Sequence, residues 1–293
     1  MPLADLEAAL QRVRDGHSTV ELIHTPSPRW PYPPSLPNSF PPSHATLPIS
    51  VLDSSFNPPT LAHLALAAAP PPTSATSSPY VARLLLLSVR NADKQLKAGD
   101  AVYAQRMHMM VLLAAELEDA LGSAVNVAVA IIDEPTFVGK SAALLNFLHG
   151  RLAEMDSGET EAGRTLPGVQ LAFLQGFDTI ERLLAPRYYG SEGKMHAALS
   201  KFFSRDGDDS SVVYARRSAS LPDPREQHER TVLEPAEEYL RSGKIALIDI
   251  DEEVQRFSST EARAKAKTGD GSWTRVVPKR IAEYIVEQGL YRN

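Results

Sequence analysis

Hydroxyl and imidazole side chains are concentrated in one short stretch, SSFNPPTLAH, which runs from Ser54 to His63. An apolar run from Ile49 to Leu52 precedes it and is long enough for a buried strand. From Leu61 onward, apolar residues recur at helical spacing, so the pattern predicts a strand, a tight loop and a helix. A helix N-terminus carries unpaired N–H groups and a partial positive charge, which suits this loop to phosphate binding.

Two side chains of the stretch are placed for that chemistry. Thr60 can cap the helix, and His63 lies in its first turn, facing the same mouth as the loop. An ordinary turn, with Thr60 as a cap and His63 as a core or solvated histidine, is the simpler alternative. We favour phosphate binding because Ser55, Phe56 and Asn57 accompany the Thr-to-His spacing.

The stretch resembles the first signature of the nucleotidyltransferase superfamily. That signature is a small residue, Ser or Thr, Phe, Asn or Asp, Pro, then His or Thr, two further residues and His. The form with Thr60 and His63 is most similar to nicotinamide mononucleotide (NMN) adenylyltransferases of eukaryotic type. The resemblance implies an ATP site whose binding residues here are Ser54, Ser55, Phe56, Asn57, Thr60 and His63.

A second motif, FSSTEAR, spans Phe257 to Arg263. Its hydroxyl residues fall at a predicted helix start, and Arg263 lies one turn further on, where its guanidinium can reach the same anion. A plain helix cap before Glu261 is the alternative. The motif resembles the second superfamily signature, Ile-Ser-Ser-Thr-x-x-Arg, with Phe257 in place of Ile. The resemblance covers roughly residues 48 to 270 and adds Ser258, Ser259, Thr260 and Arg263 to the ATP site.

Two further segments follow predicted strands. Lys94 comes after the strand that ends near Val89, and the resemblance implies that it contacts phosphate. Gly176 and Asp178 follow the strand from Val169, where glycine lets the backbone approach a ligand and Asp178 could cap a helix. The resemblance places both residues in the ATP site.

A pyridine-nucleotide pocket is expected in the loop from Thr136 to Lys140. Phe137 offers a ring to stack on nicotinamide, and Lys140 offers a cation for the acceptor phosphate. Many enzymes of the family have a tryptophan in this region, so Phe137 is a departure, and a core role for Phe137 stays open. With Ser55, Phe56 and Lys94, these two residues form the NMN site that the resemblance implies.

The implied reaction transfers AMP from ATP to NMN and yields NAD and pyrophosphate. Positioning and positive charge should supply most of the rate, with His63, Lys94 and Arg263 as the catalytic residues. Mg²⁺ would be held by phosphates and water, and no metal site made of protein side chains is expected. Three alternatives remain: another acceptor such as nicotinate mononucleotide or phosphopantetheine, CTP in place of ATP, and a nucleotide-binding regulatory protein without turnover.

The elements that must position these residues alternate between strand and helix through most of the chain. Such alternation predicts an α/β fold, a Rossmann-like doubly wound parallel sheet with helices on both faces and ligands beyond the strand C-termini. Residues 1–47 are expected to form an N-terminal helix and a Pro-rich connector, and residues 48–293 the nucleotidyltransferase domain with C-terminal helices. The helix over residues 3 to 14 should pack on that domain.

Composition narrows the class of protein. The chain has 293 residues, of which 30 are basic and 36 acidic, and no basic stripe, so a nucleic-acid partner is not expected. Cysteine is absent, which excludes disulfides and thiolate metal sites. The sequence has no apolar run of about 18 residues and no secretion signal, so we expect no membrane association. We expect a cytoplasmic protein, with the nucleus as a second compartment; a homo-oligomer is compatible with the sequence.

Overall fold

A computed structural model describes residues 2–33, 46–72, 78–90, 99–122, 125–156, 166–215 and 224–292. Its strands are β1 (Val20–His24), β2 (Thr46–Asp53), β3 (Ala82–Ser88), β4 (Val127–Ile132), β5 (Gly168–Gly176), β6 (Ser211–Ala215) and β7 (Ile245–Ile248). The helices of the first half are α1 (Leu3–Arg14), α2 (Leu61–Ala68), α3 (Tyr103–Leu121), α4 (Phe137–Asp156) and α5 (Phe177–Leu183). Those of the second half are α6 (Glu192–Phe203), α7 (Pro224–Leu233), α8 (Glu237–Arg241), α9 (Glu252–Gln255), α10 (Ser259–Lys267) and α11 (Lys279–Glu287).

The described strands form one sheet in the order β1-β4-β3-β2-β5-β6-β7. Strands β2 to β7 pair in parallel, and β1 pairs antiparallel with β4 at one edge. The chain moves outward from β2 through β3 to β4, then returns to β5 and moves the other way. The order therefore reverses between β2 and β5, and a ligand crevice is expected beyond the C-termini of these strands. The predicted doubly wound α/β fold is confirmed.

Helices cover both faces of the sheet. On one face α1, α2, α3 and α11 bury apolar side chains that include Leu6, Met107 and Ile281. On the other face α4, α5 and α6 pack on the sheet through residues such as Leu144 and Phe202. The central strands carry near-continuous apolar runs, as β4 does with six buried residues, because parallel strands are buried on both sides.

Several elements differ from the sequence prediction. Strand β1 was not predicted; it is five residues long and adds to the edge of the sheet through pairing with β4. Helix α4 begins at Phe137, where a loop to Lys140 was expected. The helix predicted near residues 226–242 is split by a 3-10 turn at Pro235, since proline cannot donate in a helix interior.

The N-terminal helix behaves as predicted. Helix α1 buries Leu6, Ala9, Leu10 and Val13, and it packs on α3. Strand β1 belongs to the same sheet as the other described strands, and α1 packs into the same core. The domain boundary at residue 47 stays a prediction. Most of the Pro-rich connector lies outside the described residues. None of the described helices is long and apolar enough to span a bilayer.

Candidate active site

The loop between β2 and α2, residues 53–60, lies at the point where the strand order reverses. We call it the signature loop. Its turn is made by Phe56, which has a left-handed backbone with φ of 44° and a fully buried ring 5.5 Å from the ring of His63. A bulky residue adopts that conformation only where its surroundings hold it, and such residues cluster at functional sites.

Hydrogen bonds fix the proton position of His63. The backbone N–H of Thr60 donates to Nδ1 at 3.0 Å, so Nδ1 must be an acceptor and the ring proton is assigned to Nε2. Nε2 lies 2.9 Å from Oγ of Ser54 and therefore donates to it. The Ser54 hydroxyl keeps its own proton free for a further acceptor. Thus Thr60, His63 and Ser54 form a chain of hydrogen bonds that starts at the helix and ends at the signature loop.

Burial lowers the pKa of His63 to about 4, so its imidazole is neutral at physiological pH. The Thr60 N–H acts in the same direction, because a protonated Nδ1 would lose its acceptor role. His63 is therefore a fixed hydrogen-bond donor rather than a cation.

The two signatures contact each other. Oγ of Ser259 donates to the carbonyl of Pro58 at 2.7 Å, and Nη1 of Arg263 donates to the carbonyl of Asn57 at 2.5 Å. Ser258 is the N-cap of α10 and accepts from the N–H of Glu261 at 3.1 Å. The alternative of an ordinary cap thus holds for Ser258, while Ser259 and Arg263 reach across more than 200 residues of sequence to the loop.

A second arginine, which the sequence analysis missed, lies under the same loop. The Arg106 side chain is buried on α3; Nε donates to the carbonyl of Ala101 at 2.8 Å, and Nη1 lies 3.5 Å from the carbonyl of Ser55. Asp100 lies between the two guanidinium groups, 3.6 Å from Nη2 of Arg106 and 3.5 Å from Nε of Arg263. The available signal was a charged residue on the apolar face of a predicted helix.

The predicted pyridine-nucleotide residues lie in the first turn of α4. The ammonium group of Lys140 is 2.5 Å from Oδ2 of Asp53, and both side chains are more than nine-tenths buried. The same ammonium lies 5.8 Å from the ring centre of Phe137, which packs against Phe173 at 5.4 Å. Asp53 ends β2 directly before Ser54, so this ion pair ties the start of α4 to the signature loop.

The turn before α4 explains why the helix starts early. Oε1 of Glu134 accepts from the backbone N–H and the hydroxyl of Thr136, and Oγ1 of Thr136 accepts from the N–H of Gly139 at 3.1 Å. A Cβ on Gly139 would lie 2.3 Å from the Glu134 carboxyl carbon, so a larger residue there would displace the Glu134 side chain from this turn. Arg90 joins the turn to the end of β3 through a 2.8 Å bond to Asp133.

Gly176 and Asp178 lie where β5 passes into α5, across the crevice from the signature loop. Gly176 is the N-cap of α5 and Asp178 is in the first turn, so the alternative of Asp178 as a helix cap does not apply, while its nucleotide contact stays a prediction. A Cβ at Gly176 would meet no described atom within 4 Å, which leaves room for a ligand there. The neighbouring Gln175 has a buried side-chain nitrogen without a partner in the described ranges.

Two of the predicted site residues, Lys94 and Thr260, stay predictions. Lys94 lies outside the described residues, so its proposed phosphate contact stays a prediction. Thr260, in the first turn of α10, is exposed and stays a predicted ATP-binding residue. Among the residues that the structure describes, no three His, Asp or Glu side chains converge as metal ligands.

The chain is similar to known proteins. No protein-family model matches the chain. The chain is 31% identical over 252 residues to a Schizosaccharomyces pombe protein named "Putative nicotinamide mononucleotide adenylyltransferase", and the match covers 84% of this chain and 87% of that protein. A solved structure of Plasmodium falciparum nicotinic acid mononucleotide adenylyltransferase, complexed with APC, is 14% identical with a TM-score of 0.46, covering 83% of this chain and 96% of the other. The identity and coverage of the fission-yeast match show that this chain is an enzyme of the nucleotidyltransferase class and belongs to the nicotinamide mononucleotide adenylyltransferase family.

Proposed function

We propose that the protein transfers AMP from ATP to nicotinamide mononucleotide, forming NAD and pyrophosphate. The observation that carries the proposal is the contact of Ser259 and Arg263 with the signature loop at the strand-order reversal. This arrangement gathers hydroxyl, imidazole and guanidinium donors at one crevice, as a polyphosphate ligand requires. The name of the fission-yeast relative supports the choice of acceptor.

The transfer we propose is direct. An oxygen of the NMN 5′-phosphate attacks the α-phosphorus of ATP, a new P–O bond forms, and the bond from the α-phosphorus to the bridging oxygen breaks with pyrophosphate as the leaving group. A covalent serine intermediate is disfavoured by the proton position of His63. Its Nε2 already carries the proton and cannot accept one from Ser54.

In this proposal the donors of the signature loop hold the reacting phosphates. His63 donates a hydrogen bond to Ser54. This bond polarises the Ser54 hydroxyl, which in turn donates to an α-phosphate oxygen. The amide of Ser54 already donates to the carbonyl of Leu86, and the amide of Leu61 to that of Val276, so these two groups are not assigned to phosphate. We therefore assign the phosphate contacts mainly to side chains rather than to the backbone N–H groups at the start of α2.

The cations of the site serve the departing pyrophosphate. Arg263 is fixed by the Asn57 carbonyl and Asp100, and its planar fork is suited to two phosphate oxygens at once. Lys94 is proposed for the same anion and for the acceptor phosphate. Such groups accelerate transfer when they contact charge that develops in the transition state.

The acceptor nucleotide is proposed to bind between α4 and the start of α5. Phe137 would stack on the pyridine ring, and Gly176 and Asp178 would border the adenosine side. Lys140 has Asp53 as its present partner, so a phosphate contact would require the ammonium group to exchange or share that carboxylate.

Mg²⁺ enters this account as part of the nucleotide substrate. Two acidic residues beside the signature loop already have cationic partners, Asp53 with Lys140 and Asp100 with two arginines. The ion would be held by phosphate oxygens and water. Its chemistry would be to neutralise charge on the triphosphate.

The test is NAD formation from ATP and NMN, run beside nicotinate mononucleotide, phosphopantetheine and CTP. His63→Ala should reduce turnover by at least about 100-fold, because the Ser54 hydroxyl loses the donor that orients it toward the charge developing in the transition state. His149→Ala, on an exposed position of α4, is the matched control and should stay within twofold. Faster turnover with another pair would replace NMN or ATP in the proposal, and ATP binding without any turnover would overturn it.

A further inference from the structure

We propose that Tyr291 is a positioning residue whose hydroxyl fixes the signature loop, an inference that rests on the proposed function. The phenol oxygen donates to Oδ1 of Asn57 at 2.9 Å, joining residues 234 positions apart. Both side chains are more than nine-tenths buried, Tyr291 at 6% exposed and Asn57 at 4%. No sequence motif suggested this contact.

The backbone that carries Tyr291 is held in a specific shape. Helix α11 ends at Glu287, and Gly289 adopts a left-handed conformation with φ of 61° while its N–H donates to Val286. Leu290 then donates to Ile285, and Tyr291 itself has φ of 64°. The left-handed region disfavours a bulky residue such as tyrosine, so the contacts of its side chain must stabilise this turn.

Tyr291 also lies among the charged groups under the loop. Burial raises its pKa, while Arg106 and Arg263 act in the opposite direction, so the phenol stays protonated and can donate. Asn57 Oδ1 accepts a second bond from the N–H of Ala101 at 3.2 Å. The Asn57 side chain is therefore held from two sides, by the turn after α11 and by the turn before α3.

Three parts of the chain hold the polar atoms of the loop. Arg263 and Ser259 of α10 hold the carbonyls of Asn57 and Pro58, and Arg106 of α3 lies near that of Ser55. Tyr291 instead binds the Asn57 side chain and is the side-chain donor to it, beside the backbone N–H of Ala101. We infer that it sets the rotation of the loop between Phe56 and Pro58, and thus the direction of the donors on Ser54 and Ser55.

The test compares Tyr291→Phe with Tyr284→Phe. Tyr284 lies on α11, just before the turn that carries Tyr291; it is 7% exposed and has a buried hydroxyl without a partner among the described residues. Removal of that hydroxyl should leave stability and turnover within twofold. Tyr291→Phe should lower kcat about tenfold with little change in KM for NMN, because the loop donors act mainly in the transition state.

Hydrogen exchange separates this proposal from the proposed function. The amides of Ser54, Leu61 and Ala101 report on the loop and should exchange about tenfold faster in Tyr291→Phe but not in Tyr284→Phe. Unchanged loop exchange, unchanged kcat, or equal losses in both variants would overturn the positioning role. If the wild-type protein forms no NAD, the proposed function fails, and loop exchange with ATP affinity then decides the role of Tyr291.

Discussion

His63 and Ser54 should act as one unit, since the imidazole holds the hydroxyl that we propose contacts the substrate phosphate. Ser54→Ala removes one uncharged hydrogen bond and should lower kcat/KM about tenfold. His63→Ala should cost more, because it also leaves the Thr60 N–H without its acceptor. The double variant should be no slower than His63→Ala alone, as steady-state kinetics on all four proteins would measure. If the loss in kcat/KM of the double variant instead equals the product of the two single-variant losses, the residues act independently.

The lowered pKa of His63 predicts how stability depends on pH. The group titrates near 6.5 when unfolded and at about 4 when folded. As the pH falls from 7 to 5, the unfolded state binds a proton that the folded state does not, so the free energy of unfolding should fall by about 2 kcal/mol. Above pH 7 the group contributes no pH dependence.

Urea unfolding at pH 7 and pH 5 checks this expectation. His63→Asn keeps an acceptor for the Thr60 N–H but does not titrate. Its free energy of unfolding should therefore fall less between the two pH values, by the amount that His63 contributes. His149→Asn, at an exposed position, should lose as much as the wild type. An equal decrease in His63→Asn and the wild type would contradict a His63 that stays neutral in the folded protein.

At the scale of elements, the Asp53–Lys140 ion pair joins β2 to α4 in a buried environment. Lys140→Met leaves a buried carboxylate without its cation and should lower the free energy of unfolding by about 3–5 kcal/mol. The double variant Asp53→Leu with Lys140→Met should recover most of that loss, because paired buried charges and apolar residues of similar size are nearly equivalent. Calorimetry or urea unfolding measures both changes.

The same variants test whether Lys140 binds the acceptor. If it contacts the NMN phosphate, the stable double variant should still show a raised KM for NMN. An unchanged KM would limit Lys140 to holding Asp53. Arg241→Met, which breaks an exposed pair with Glu237, is the control and should change stability by less than about 1 kcal/mol.

At the scale of the whole molecule, local patterns in the sequence predicted the parallel sheet well. Apolar runs mark the central strands because these are buried on both faces, and the loops after them collect at one edge of the sheet. Strand β1 escaped prediction because it is short and is defined by pairing between Val20 and Ile132, far apart in sequence. Edge strands of this kind have little pattern of their own.

The residues of the candidate site likewise include some that the sequence could predict and some that it could not. The two signatures could be read from residue order, and the structure brings Ser259 and Arg263 onto the first of them. Tyr291 could not be identified, since its importance comes from a contact with a loop 234 residues away. Arg106 carries a charge on the apolar face of a predicted helix, but nothing in the sequence points to its contact with the loop 51 residues away. The partner of Lys140 was missed because a lone lysine gives no sign of the carboxylate it will meet.

The most direct test of the central claim follows the phosphate. ATP labelled with ³²P at the α-phosphate is incubated with NMN and Mg²⁺, and the products are separated. We expect the label to appear in NAD, in equal amount to the unlabelled pyrophosphate released, and His63→Ala to slow the formation of both by at least about 100-fold. Label that appears as free AMP, or that stays in ATP while the nucleotide remains bound, would contradict adenylyl transfer to NMN at this site.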